Sequence, residues 1–134
     1  MPWQVRFVAG GCIRSLSGRI TIADLADSRA DIARSPEADD AKWMLDDSRD
    51  VSDIFVSEAD AALEQMIIGG RLLPQARKWA VVGGAAVESA VAVFDRAPNP
   101  PAGKVETRYF QSIAAAMLWL GVKSVIETST PGFG

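Results

Sequence analysis

Histidine is absent from all 134 positions, and Cys12 is the one cysteine. Without imidazole there is no Ser-His-Asp or Cys-His nucleophile pair, no histidine-ligated zinc and no imidazole pH switch. A lone cysteine excludes an intramolecular disulfide. Long apolar runs are missing too: none approaches the roughly 18–20 residues that a bilayer-spanning helix needs. The start Met1-Pro2-Trp3-Gln4 has no charged segment followed by a long apolar one, so the expectation is a cytoplasmic protein. Positive charge is scarce, with 14 basic against 17 acidic residues, a net charge of −3 and an isoelectric point near 4.9. Such a surface disfavours nucleic acid, whose phosphates need a basic face.

What is present is ordinary for a globular domain, with 49% apolar and 23% charged residues. At this length folding buries roughly two-thirds of the unfolded surface, so a core forms without disulfides or a structural metal. One domain over residues 1–121 is expected, with residues 122–134 as a C-terminal tail. Acidity is concentrated rather than spread: from Asp24 to Glu64 there are thirteen acidic and four basic residues. That stretch is a solvated face or a surface for a protein partner.

Trp3 to Phe7 alternates apolar and polar, Gly10-Gly11 suits a tight turn, and Cys12 to Leu16 resumes in extended style. An opening β-hairpin follows from that. Thr21 precedes a helix over 22–34, with Asp24 in its first turn and Ile22, Leu25, Ala26, Ile32 and Ala33 on one face, until Pro36 stops it. Residues 41–45 form a short buried strand, followed by an irregular acidic stretch. Ser57-Glu58-Ala59-Asp60 has the form of a helix start, and Gly69-Gly70 ends that helix. A strand over 77–82 then turns at Gly83-Gly84 into a helix carrying Val87, Ala90, Val91 and Phe94. After the proline-rich loop 98–103 come a half-exposed strand over 104–110 and a last helix, capped by Ser112 and ended at Gly121. The order is ββαβαβαβα, an α/β fold whose crossover helices imply a mixed, mostly parallel five-stranded sheet.

This order resembles the SpoIIAA-like family, grouped by fold with STAS domains and Sec14-type lipid-binding domains. The matching pieces are Leu16-Ser17-Gly18-Arg19-Ile20-Thr21 leading into Asp24-Leu25, then Trp43-Met44-Leu45-Asp46, then Ala80-Val81-Val82. Arg108-Tyr109-Phe110, with Ala114 to Leu118 and Trp119-Leu120-Gly121, completes them, so the resemblance spans residues 5–122. It implies a scaffold for protein-protein regulation, nucleotide sensing or apolar-ligand binding. In anti-sigma-factor antagonists the regulatory serine starts the helix after the third strand, within an Asp-Ser-Ser-Gly-like signature. The corresponding stretch, Asp53-Ile54-Phe55-Val56-Ser57-Glu58, has no Ser-Ser-Gly, and Ser57 is the positional equivalent.

Five groups of residues are candidates for chemistry or binding. Ser57 is a phosphate acceptor at a helix N-terminus or an ordinary cap, and Asp53, Glu58 and Asp60 around it are a candidate interaction surface. Asp46, Asp47, Asp50 and Asp53, with Ser48, begin like a calcium loop, but Val51 stands at the position that needs glycine and Ser57 where a bidentate glutamate belongs, which leaves a solvated acidic loop or a magnesium site on two carboxylates. Gly83-Gly84 is either a phosphate-accommodating turn or a tight strand-helix connection, and it lacks the dinucleotide and phosphate-loop patterns. Asp46 and Glu88 form a conceivable carboxylate pair at the C-terminal edge of the sheet. Trp43 and Trp79 fill the core or wall an apolar cleft with Asp46, Gly83, Gly84 and Phe94.

The expected function is a non-enzymatic regulatory or protein-interaction module, without cofactor or metal, acting on a protein partner through residues near 53–60 and self-associating as a homodimer. The alternative is a carrier or sensor of a small apolar or lipid-like ligand in the cleft near Trp43 and Trp79.

Overall fold

The computed structural model describes residues 2–8, 10–57, 59–60, 73–96 and 106–122. The chain builds a five-stranded sheet in the order β1-β2-β3-β4-β5 from Trp3–Val8 (β1), Gly11–Thr21 (β2), Trp43–Phe55 (β3), Lys78–Gly83 (β4) and Glu106–Phe110 (β5). β1 runs antiparallel to β2, and the other three pairings are parallel. The expected mixed, mostly parallel sheet is therefore the observed one. Gly10, at φ +84°, makes the hairpin turn. Gly11 serves packing instead: a Cβ there would stand 2.0 Å from the Trp43 indole.

Three helices have both ends among the described residues: α1 (Ile22–Arg34), α2 (Ala85–Arg96) and α3 (Ile113–Leu120). A reciprocal box starts α1, in which Thr21 Oγ1 accepts from the Asp24 N–H at 3.3 Å and Asp24 Oδ2 accepts from the Thr21 N–H at 2.9 Å. Pro36 opens a 3-10 turn over Pro36–Asp39 directly after it, as a residue that cannot extend the ladder should. Ser112 Oγ accepts from the Ala115 N–H and caps α3.

Strand alternation sorts the side chains onto two faces. On one, Ile13, Trp43, Leu45, Ala80 and Val82 pack under α3. On the other, Cys12 and Met44 with Trp79 meet Ile32 of α1, while Val87 seats α2 against Gly83, where a Cβ would come within 2.7 Å of its methyl. Gly83 thus allows the helix to approach the strand.

One element departs from expectation. The acidic stretch after Leu45 is not irregular: β3 continues to Phe55, because Ser17–Thr21 of β2 pairs with Asp50–Phe55, with register shifts at Ser15/Ser17 and Gly18/Arg19. Gly18, at φ +71°, accommodates the second irregularity. β4 pairs with β3 only as far as Ser48, so β2 and β3 continue together as a two-stranded ribbon. The helix expected after Ser57 beyond Asp60, the loop 98–103 and all of the tail except Val122 lie outside the described residues.

Candidate functional site

β2 and β3 each turn a run of alternate side chains toward α1 and α2, and both runs contain polar residues: Arg14 between Cys12 and Leu16, then Asp46 and Ser48 after Met44. Register places Arg14 directly opposite Asp46. Each is only 5% exposed. The guanidinium and carboxylate meet in a bidentate pair, with Arg14 Nε donating to Asp46 Oδ1 and Arg14 Nη2 to Asp46 Oδ2, both at 2.8 Å. Such fork-to-fork geometry is the strongest ion-pair arrangement side chains make. Ser28 Oγ of α1 accepts from Arg14 Nη1 at 2.9 Å and donates its own hydrogen bond to the Leu25 carbonyl. Trp79 Nε1 donates to Asp46 Oδ2 at 2.9 Å, and the guanidinium carbon lies 5.9 Å from the Trp79 ring centroid. Four residues from β2, α1, β3 and β4 therefore form one connected polar network inside the domain.

The network is the floor of a cleft of about 80 Å³ between the sheet and the helices. Leu16, Leu25 and Ile54 wall one side, Val87, Ala90 and Val91 of α2 the other, and Val81 and Thr107 extend the base toward β5. Ser48 also lines the cleft and is 1% exposed. Apolar walls with a few convergent polar groups are the usual composition of small-molecule sites. Cys12 lies behind the floor. Its thiol is pushed up to about 12 by burial and by the nearby Asp46 charge, against the opposing effect of Arg14. It is therefore a packed apolar group rather than a nucleophile.

The cleft expected from sequence is partly reassembled. Asp46 and Trp79 belong to it; Trp43 does not. In register Trp43 sits opposite Lys78 and Met44 opposite Trp79, so the two tryptophans occupy opposite faces of the sheet. Gly83 and Gly84 stand at the entry to α2, where their carbonyls accept from the Tyr109 hydroxyl at 2.6 and 3.4 Å. Burial, with help from Glu88, raises the Tyr109 phenol above its ordinary value. Phe94 lies in α2, and its side chain is outside the described ones. Glu88 is exposed and is not part of the cleft, so Asp46 and Glu88 do not face one another.

The calcium-loop reading is corrected. These acids lie on a strand, so the consecutive carboxylates Asp46 and Asp47 leave on opposite faces: Asp46 is taken by Arg14, and Asp47 by Arg49, whose Nε lies 2.9 Å from its Oδ1. Burial raises the Asp47 carboxyl, but hydrogen bonds and charge from Arg49 outweigh it and hold the group below its ordinary value. No cluster of three metal-ligating side chains exists among the described residues. Ser57 has the geometry of a cap: its Oγ accepts from the Asp60 N–H at 3.1 Å, and its own N–H donates to Asp60 Oδ2 at 3.4 Å. Asp53 is exposed on the ribbon, and Glu58 lies outside the described residues.

Arg14, Ser28 and the α2 wall residues were not legible as site residues, and Ser48 was legible only as a companion of the acidic run. A signal existed for one of them. Arg14 is a charged residue whose neighbours two positions away, Cys12 and Leu16, are both apolar, which is the mark of an inward-facing side chain.

No helix among the described residues is long and apolar enough to cross a membrane. No family model matches the chain. No curated protein matches it in sequence. Among solved structures it is similar to an uncharacterized protein of the DUF3478 family with a SpoIIAA-like fold from Shewanella loihica PV-4, at 11% identity and a TM-score of 0.50. That likeness covers 88% of this chain and 91% of the other. Together with the ββ opening, the three parallel pairings and the strand order, it identifies the fold of this chain as SpoIIAA-like.

Proposed function

We propose that this domain is a non-catalytic binding module that carries or senses a small, mainly apolar ligand in the cleft between α2 and the sheet. The observation that carries the reading is the wall of aliphatic side chains built over a polar floor whose charges are already matched. A catalytic carboxylate would need a free oxygen, and both oxygens of Asp46 are engaged by Arg14 and Trp79. Native mass spectrometry of freshly purified protein tests this. A retained organic mass that disappears in Ala90→Trp, which fills the cleft from the α2 side, is the expected result. A retained mass unaffected by Ala90→Trp places the ligand elsewhere, and a ligand-free protein that binds no added apolar compound contradicts the reading.

A second reading, regulation through a protein partner, is favoured by one feature of the ribbon. Phe55 is 47% exposed with the Arg19 guanidinium 4.9 Å from its ring centroid, near Asp53 and Ser57. An exposed aromatic ring in an acidic setting suits a partner with an apolar pocket and a basic rim. Substituting that ring is the direct test.

A further inference from the structure

We infer that the cleft selects an uncharged molecule, short and aliphatic, with a single hydrogen-bonding oxygen that meets Ser48. This rests on the cleft being the ligand site and adds the chemical class. Three observations converge on it. Arg14 and Asp46 are the only ionised groups among the described residues that line the cleft, and they neutralise one another. An incoming carboxylate or phosphate would have to draw Arg14 away and leave Asp46 buried without its counter-charge, a strongly unfavourable exchange. An incoming ammonium group would compete for a carboxylate that already accepts three hydrogen bonds.

Two uncharged hydroxyls line the cleft, that of Thr107 toward β5 and that of the almost fully buried Ser48 beside Asp46. Ser48 makes no side-chain hydrogen bond with any described residue, yet among the described residues no fully enclosed side-chain polar atom lacks a partner. Its hydroxyl therefore opens on the space it lines, the cleft. A hydroxyl both donates and accepts, so it pairs with an alcohol, ketone or ester oxygen without importing charge. Size sets the rest. At about 80 Å³ the space is roughly half of a 150 Å³ apolar cavity that accommodates benzene, which suits a short aliphatic chain or the end of a longer one.

The test is a calorimetric titration of the wild-type protein at pH 7 with 1-pentanol and with pentanoate, which share a chain and differ in charge. The inference predicts saturable pentanol binding, pentanoate at least tenfold weaker, and roughly fivefold weaker pentanol binding in Ser48→Ala, the equivalent of one ordinary hydrogen bond. Pentanoate binding as tightly as pentanol overturns the selection against charge while leaving the cleft as the site. Equal pentanol binding by wild type and Ser48→Ala overturns the role of Ser48. If neither compound binds up to its solubility limit, the cleft reading fails and the inference falls with it. The alcohol-carboxylate comparison is made on the wild-type chain and does not depend on any variant folding.

Discussion

At the scale of single residues, the buried Arg14–Asp46 pair and the exposed Arg49–Asp47 pair separate two kinds of ion pair in one strand. Asp46→Asn leaves the Arg14 charge buried without its partner and should cost about 3–5 kcal/mol. Asp47→Asn, whose Arg49 partner is largely solvated, should cost less than about 1 kcal/mol. Urea denaturation of the two variants checks both figures, and equal losses would contradict the distinction. Cys12 gives a pH dependence of known sign. Its folded-state value, about 12, lies above the ordinary thiol value of 9.0. The unfolded chain therefore loses its proton first, and the thiol's contribution is fully present below about pH 9 and declines as pH rises toward 12. Cys12→Ala should show a flatter stability profile over that window, and an unchanged profile would refute the assignment. The polar floor was half legible in the sequence: parity along β2 marks Arg14 as inward, but nothing local shows that β2 and β3 pair in a register that sets it opposite Asp46.

At the scale of elements, the helix caps at Thr21 and Ser112 and the stop at Pro36 were readable because they depend on residues within one turn. β3 was not. Its second half, Asp50 to Phe55, is rich in acids and lacks a clean apolar alternation, since its pairing comes from β2 on one side while β4 has already ended. A strand held by one neighbour tolerates a polar sequence that resembles a loop. The same geometry makes the ribbon a good place for a surface residue to change without harm. Phe55→Ser should alter stability by no more than about 0.5 kcal/mol. If the ribbon docks a partner, the variant should also lose whatever protein the wild-type chain retains from a cell extract. Retention of the same protein by the variant would count against the ribbon.

At the scale of the molecule, the succession of elements and the mixed sheet follow from local patterns added in order, and the SpoIIAA-like architecture is their sum. The cleft does not follow in that way, because its walls come from α1, β2, β3, β4, β5 and α2 together, and which face each strand residue takes depends on register. Trp43 and Trp79 show the consequence: similar residues on neighbouring strands, one on each side of the sheet. That separation also supplies an internal control. Trp79 donates its indole proton to the cleft floor, whereas Trp43 is packed beneath α3. The most direct measurement is a titration of the 15N-labelled protein with 1-pentanol, following the indole N–H resonances. Ligand binding in the cleft predicts a saturable shift of the Trp79 resonance with that of Trp43 essentially unmoved. A Trp79 resonance that stays fixed, or shifts only in step with Trp43 and without saturation, would contradict it.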